Sequence, residues 1–262
     1  MAIKHLTLEE RAVFFAKCSE LAYLPEKTGV SKFAELGYAA EFIDHDGSQA
    51  YYLYDTEDLI FVCRGTEPTE FKDIAADLKA FPVPSSTGIG KVHRGFKESA
   101  EDVWDPLLKK VKTYCKKRTI WVCGHSLGAA MATLVSYRLQ RSEDLPSPAA
   151  LFTYGSPKVG NKEYIEGITA SGIEHHRFVN GADIVTRVPP WPYKHFGTLH
   201  YMNHWGNIRP STAMQQFKDR LRGFWKGIKK GEINYFSNHS MTRYVANLER
   251  WAAGEERTQD KV

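Results

Sequence analysis

A lone serine stands between two glycines in the segment 124–128, directly after a short apolar run. The run Thr119–Cys123 is rich in β-branched and aromatic residues, which predicts a short buried strand. The residues from Leu127 to Leu139 are apolar nearly all round and predict a buried helix. A Gly-x-Ser-x-Gly turn between a strand and a helix is the context of a nucleophile elbow, so we predict that Ser126 is a catalytic nucleophile.

Such an elbow also predicts where a developing negative charge is stabilised. The turn needs small flanking side chains and holds the serine hydroxyl clear of the sheet. The N-terminus of the next helix faces the developing anion, so the backbone N–H of Leu127 is the predicted first donor of an oxyanion hole. The second donor is expected on a loop after an early strand, and the segment FVCRGT nominates Thr66. The alternative interpretation is a glycine-rich turn with an incidental serine.

A serine hydroxyl attacks only when a base takes its proton and an acid orients that base. On a fold with a nucleophile elbow, the chain order is serine, acid, histidine. Asp183 is favoured as the acid because it follows the predicted strand HHRFVN directly, although it also suits an ordinary turn. The other downstream acids considered are Asp144, Glu163, Glu166 and Asp219.

The candidate base lies late in the chain. His239 precedes the predicted last helix MTRYVANLERW, and three further histidines compete with it on position alone: His195, His200 and His204. Those three also raise the hypothesis of a metal site, but their spacing does not place them on one face, which favours strand or loop histidines.

The elements that must position these residues alternate along the chain. Strands are predicted at 50–55, 58–65, 119–123, 149–160 and 174–185, and helices at 7–21, 96–117, 127–139, 161–172 and 241–251. Thr7 and Glu10 form a capping-box pattern at the start of the first helix. Strands that alternate with helices predict an α/β fold with a mostly parallel sheet covered on both faces. We expect one domain over residues 1–262.

Composition excludes several classes of function. The 262 residues carry a net charge of only +4, and no nucleic-acid-binding motif is present. No stretch approaches the roughly 20 apolar residues of a transmembrane helix. The N-terminal segment lacks the apolar core of a signal peptide, which predicts a cytoplasmic protein unless a leader has been removed. The cysteines fit neither a zinc site nor a disulfide framework: Cys18, Cys63, Cys115 and Cys123.

Six segments together resemble the class 3 lipases, the fungal-type triacylglycerol lipase family of the α/β-hydrolase superfamily. They occur in the family's order: FVCRGT (61–66), VHRGF (92–96), GHSLG (124–128), YGSPKVGN (154–161), FVNGADIVTRVPP (178–190) and NHSMTRY (238–244). The resemblance implies an α/β-hydrolase fold, a catalytic triad of Ser126, Asp183 and His239, and an oxyanion hole at Thr66 and Leu127. It implies no cofactor and no metal.

Two further segments have expected roles at the site. The family usually covers its site with a short lid helix after the oxyanion residue, here residues 67–84, whose composition is more polar than is usual. Residues 212–230 predict a basic amphipathic helix with Trp and Phe on its apolar side, which suits a lipid surface or a second lid. The alternative for this second segment is a peripheral helix packed on the domain.

The predicted function is therefore hydrolysis of carboxylic esters of lipids, with a lipid or ester as the partner. Within the same chemistry, an esterase for short or feruloyl-type acyl groups and a phospholipase A are alternatives. From another class, the alternative is a lipid-surface binding module with a vestigial hydrolase site.

Overall fold

The computed structural model describes residues 2–66, 81–115, 118–219 and 237–257. Its main feature is a seven-stranded sheet in the order β1-β2-β3-β6-β7-β8-β9, accompanied by a two-stranded ribbon, β4-β5. The strands are β1 (Ala39–His45), β2 (Ser48–Tyr54), β3 (Asp58–Cys63), β4 (Pro82–Pro84), β5 (Lys91–His93), β6 (Thr119–His125), β7 (Ala150–Tyr154), β8 (His175–Asn180) and β9 (Thr198–Met202).

The sheet changes character at β3. The pairs β1–β2 and β2–β3 are antiparallel, whereas β3, β6, β7, β8 and β9 are mutually parallel in that order. Every residue of β3 and β7 is buried, as a parallel sheet covered on both faces requires. The carboxyl ends of the parallel strands therefore lie at one edge of the sheet, where open α/β sheets bind ligands.

Helices cover both faces and create two hydrophobic clusters. The helices are α1 (Leu8–Leu21), α2 (Glu26–Glu35), α3 (Arg94–Asp102), α4 (Trp104–Tyr114), α5 (Leu127–Gln140), α6 (Lys162–Ala170) and α7 (Met241–Ala252). One face packs against α3 to α6, through residues such as Phe96 and Met131. The opposite face packs against α1, α2 and α7, through residues such as Phe15 and Leu248. This arrangement confirms the predicted α/β class.

The helix predicted at 96–117 is wrong as a single element. The structure has two helices, α3 and α4, which meet at Val103. Pro106 explains the break, because its ring would clash with the carbonyl of Asp102 in a continuous helix. In the first turn of α4 the missing N–H of Pro106 costs nothing, since that position has no intrahelical acceptor.

Apart from the short β4–β5 ribbon, the helix and strands that were not predicted from the sequence are α2, β1 and β9. Helix α2 contains Gly29, which weakens a helical pattern. The strands β1 and β9 occupy the two edges of the sheet. Edge strands are partly exposed and lack a clean apolar run, so their pairing depends on the neighbouring strand rather than on their own sequence.

The predicted lid and cap fall largely outside the described residues. Of the lid segment 67–84, residues 67–80 lie outside, and Pro82–Pro84 forms β4. Of the cap segment 212–230, residues 213–219 are helical and 220–230 lie outside. Within the described ranges, no helix is both long enough and apolar enough to cross a bilayer.

Candidate active site

The elbow at Ser126 depends on close approach between backbones. Ser126 joins β6 to α5 with φ +59° and ψ −128°, in a region that residues with side chains rarely adopt. A Cβ at Gly124 would lie 2.5 Å from the carbonyl oxygen of Gly128. A Cβ at Gly128 would lie 2.2 Å from the carbonyl oxygen of Cys63, at the end of β3. Both glycines are therefore required for the sheet, the turn and the helix to pack this closely.

The three predicted residues of a triad come together at the carboxyl edge of the sheet. Ser126 follows β6, Asp183 lies three residues after β8, and His239 lies in a short 3₁₀ turn before α7. The Nε2 atom of His239 lies 2.8 Å from Ser126 Oγ. The Nδ1 atom of His239 lies 2.9 Å from Asp183 Oδ2. An ionised carboxylate accepts only, so Nδ1 carries the hydrogen and Nε2 accepts from the serine hydroxyl.

Asp183 is held by two further donors. The hydroxyl of Tyr244, on α7, donates to Asp183 Oδ2 at 2.7 Å, and the N–H of Val185 donates to Oδ1 at 3.0 Å. Burial and the neighbouring carboxylate raise the pKa of Tyr244 well above its ordinary value, so this phenol stays protonated and donates. The bond from Val185 shows that Asp183 also serves the turn, as its local sequence suggests.

The remaining candidate acids and bases have other partners. His195 donates from Nε2 to the carbonyl of Thr186, and burial lowers its pKa to about 3. His200 lies on β9 beside His176, and His204 pairs with Asp219. The other acids considered, Asp144, Glu163 and Glu166, are exposed. The three histidines are strand or loop residues, as their spacing favours.

The two predicted oxyanion residues border one cavity of about 290 Å³, and Ser126 is not part of its lining. Thr66 reaches it from the loop after β3, and Leu127 from the first turn of α5. N–H groups in the first turn of a helix have no acceptor within the helix and face outward. The rest of the wall comes from the β1–β2 turn, the start of β2, the loop after β3, α3 and α5: Gly47, Ser48, Gln49, Arg64, Gly65, Ser99 and Met131.

Three residues around the predicted triad were not predicted from the sequence. Tyr244 contacts Asp183, His125 contacts His239, and Tyr23 contacts His125. His125 lies inside the GHSLG segment and was considered only as part of the turn. Tyr244 ends the NHSMTRY segment, so its proximity to His239 in the chain was a usable signal. Tyr23 lies 102 residues from its partner His125, and no local pattern reports a contact of that separation.

The cysteines are all free thiols, and three of them are buried. Burial raises the pKa of Cys63 to about 12, which makes it unreactive as a thiolate at neutral pH. Among the described residues, the His, Cys, Asp and Glu side chains that cluster closely enough for a metal ion are His45, Asp46 and Asp102, none of which belongs to the predicted triad.

Comparison with known proteins yields a family and several relatives. The family model described as Lipase (class 3) matches residues 60–193. Toxin TseL of Vibrio cholerae serotype O1 is 30% identical over 226 residues, covering 71% of this chain and 34% of that protein. A lipase of Rhizomucor miehei is 36% identical over 154 residues, covering 56% of this chain and 41% of that protein. The chain thus spans less than half of the length of these two relatives.

The fold is also found in solved structures. One is described as a triacylglycerol lipase whose catalytic centre is formed by a serine protease triad. It superposes with a TM-score of 0.65 at 26% identity, covering 75% of this chain and 82% of that chain. The match covers three quarters of this chain, and it establishes the α/β-hydrolase fold for it.

Proposed function

Because the chain belongs to the class 3 lipase family, we propose that it is a serine carboxylester hydrolase that cleaves acylglycerol esters. The observation that carries the proposal is the buried hydrogen-bonded series from Asp183 through His239 to Ser126, at 2.9 and 2.8 Å. Each member has the protonation and direction that general-base activation of a serine needs. The triad described for a triacylglycerol lipase of the same fold supports the same conclusion.

The chemistry follows from these directions. Ser126 Oγ attacks the ester carbonyl carbon while His239 Nε2 takes the hydroxyl proton, and the C=O electrons move onto oxygen. The tetrahedral intermediate collapses, the C–O bond to the alcohol breaks, and the imidazolium of His239 protonates the leaving alcohol. Water then attacks the acyl-enzyme with the same histidine as base, and the fatty acid leaves as Ser126 recovers its proton.

Two backbone donors are proposed for the oxyanion: the N–H groups of Thr66 and Leu127. Their common cavity and the position of Leu127 at the start of α5, directly after Ser126, support this assignment. The N–H of Leu127 belongs to the first turn of α5, so it requires no reorganisation when the charge develops. The threonine hydroxyl at residue 66 is a third polar group on the same wall.

Asp183 is proposed to orient the imidazole and to stabilise its positive charge during the reaction. Tyr244 limits the movement of the carboxylate by donating to the oxygen that accepts from His239. Removal of the carboxylate would release the imidazole to the wrong tautomer.

The decisive experiment compares Ser126→Ala with Ser136→Ala on p-nitrophenyl esters of two to sixteen carbons. Both serines are buried, Ser126 directly before α5 and Ser136 within it. The hydroxyl of Ser136 has no hydrogen-bond partner among the described residues. We expect Ser126→Ala to lower kcat by about 10³-fold or more, and Ser136→Ala to keep the kcat of wild type. Comparable turnover in Ser126→Ala and wild type would refute the proposal.

The chain-length profile of the wild type then tests the substrate class. A maximum on long acyl chains is expected for a lipase, whereas activity confined to short chains would keep the triad and reassign the protein as an esterase. Binding to lipid vesicles without turnover of any ester would point instead to a lipid-binding role. The lipid–water interface as partner and the cytoplasmic location stay predictions.

A further inference from the structure

The side chain of His125 is buried directly before Ser126, and both of its ring nitrogens have partners. Its Nε2 lies 2.8 Å from the backbone carbonyl oxygen of His239, and its Nδ1 lies 2.8 Å from the hydroxyl of Tyr23. A carbonyl oxygen can only accept, so Nε2 carries the hydrogen. Nδ1 is then bare and accepts from the tyrosine hydroxyl. The directions of both hydrogen bonds are therefore determined.

The bond from His125 acts on the main chain of the histidine proposed as base. It joins the residue before Ser126 to the carbonyl of His239, across 114 positions of the sequence. The two imidazoles also lie against each other, with ring centroids 4.3 Å apart. Burial and the neighbouring His239 lower the pKa of His125 well below its ordinary value, so it stays neutral beside a ring that becomes positively charged.

The hydroxyl of Tyr23 also meets the loop that leads to Thr66. A Cβ at Gly65 would lie 2.3 Å from the Tyr23 hydroxyl oxygen and 2.6 Å from the carbonyl oxygen of His125. The guanidinium of Arg64 lies 5.8 Å from the centroid of the Tyr23 ring. Tyr23 follows α1, so it belongs neither to the loop that leads to Thr66 nor to the segment that contains His239.

We propose that Tyr23 and His125 are positioning residues that hold His239 and the loop 64–66 in register around Ser126. Neither residue acts on substrate; Tyr23 fixes the tautomer of His125, and His125 fixes the backbone of His239. The inference rests on the proposed function of Ser126 and His239.

A purely structural role makes a different prediction. If these bonds only stabilise the fold, their loss lowers the free energy of unfolding and leaves kcat unchanged in the folded protein. If they position His239, their loss lowers kcat while KM stays the same, because substrate binding does not depend on the imidazole.

The experiment compares Tyr23→Phe with Tyr51→Phe. Tyr51 is a fully buried tyrosine whose hydroxyl donates to the carbonyl of Leu24, so Tyr51→Phe removes a phenol hydroxyl from the same part of the fold without touching His125. For Tyr23→Phe we expect kcat on p-nitrophenyl esters to fall roughly 10-fold with KM unchanged, since small misplacements of catalytic groups are costly. Tyr51→Phe is expected to keep the kcat of wild type.

A second readout is independent of turnover. In ¹⁵N-histidine NMR spectra of wild type, His125 should appear neutral with its hydrogen on Nε2. Tyr23→Phe should mix the two tautomers of His125 and shift the signals of His239, whereas Tyr51→Phe should change neither.

The outcomes separate the inference from the proposed function. Wild-type kcat in Tyr23→Phe, together with unchanged signals of His125 and His239, would overturn the positioning role even if Ser126 is confirmed as the nucleophile. If wild type hydrolyses no ester, the proposed function fails, and the spectra alone decide whether Tyr23 controls the two imidazoles.

Discussion

At the scale of single residues, Gly155 shows how little space surrounds the Asp183–His239 pair. It follows β7 with φ +58°, a conformation that residues with side chains rarely adopt. A Cβ there would lie 2.8 Å from Asp183 Oδ2 and 2.8 Å from His239 Nδ1, the two atoms that share a hydrogen bond. A methyl group at this position must therefore separate the acid from the base.

Gly155→Ala is expected to lower kcat at least 10-fold, because the methyl group displaces the imidazole from Ser126. Gly172→Ala is the matched control: its φ of +76° imposes similar backbone strain, but no atom lies within 4 Å of the added Cβ. Both variants should lose about 1 kcal/mol of unfolding free energy in urea titrations. An equal fall of kcat in the two would attribute the effect to strain rather than to the contact.

The sequence predicts the residues whose roles have local signatures. Ser126 stands in a strand–turn–helix pattern, and Asp183 follows a strand, so both could be nominated before the fold was known. Position alone does not distinguish His239 from three other histidines, and only the resemblance to a family favours it. Tyr23 and His125 could not be assigned a joint role, because their contact exists only after α1 has packed against the sheet.

At the scale of elements, α1 begins at the capping box that its sequence predicts. Thr7 Oγ1 accepts from the N–H of Glu10 at 3.2 Å, and the Glu10 carboxylate accepts from the N–H of Thr7 at 2.8 Å. These bonds satisfy two N–H groups at the helix start. The helix that positions Tyr23 therefore begins at a defined residue.

Thr7→Ala should lower the free energy of unfolding by about 1 kcal/mol, because the N–H of Glu10 loses its acceptor. Thr169→Ala, near the end of α6, removes an exposed threonine hydroxyl that only donates to a carbonyl of its own helix. It should change stability by less than about 0.5 kcal/mol. Urea unfolding followed by circular dichroism measures both, and equal losses would contradict the capping role of Thr7.

The two edge strands that the sequence did not predict, β1 and β9, share one physical cause. Strands β1 and β9 pair on one side only, so they form because a neighbouring strand pairs with them. Their own residues show no clear periodic pattern. The break between α3 and α4 was accessible from Pro106 alone, but the amphipathic pattern of the surrounding residues masked it.

At the scale of the whole molecule, several histidines are held neutral by the packing of the fold. Burial lowers the pKa of His93 to about 4 and that of His195 to about 3, and it lowers the pKa of His200 to about 4. In the unfolded chain these groups titrate near pH 6.5. Below that pH the unfolded state takes up protons that the folded state does not bind, so acid favours unfolding.

We therefore expect the free energy of unfolding to fall as the pH decreases from about 6.5 to about 4. His93→Asn tests the contribution of one group, because asparagine preserves the N-cap acceptor that His93 Nδ1 offers to Phe96 N–H but does not titrate. Its stability should decline less steeply with acid than that of wild type, whereas His45→Asn, at the exposed end of β1, should follow wild type. Parallel curves for all three proteins would exclude this linkage.

The packing of α1 against α7 has a consequence for the protein during its synthesis. Lys17 and Glu20 on α1 pair with Glu249 and Thr242 on α7, so the face of α1 is completed by a segment that the ribosome makes much later. Every strand that the structure describes ends by residue 202, whereas His239 and α7 follow. A nascent chain at that stage holds the proposed nucleophile and acid without a base. If the proposed triad is correct, such a chain should be unable to hydrolyse esters until translation has passed α7.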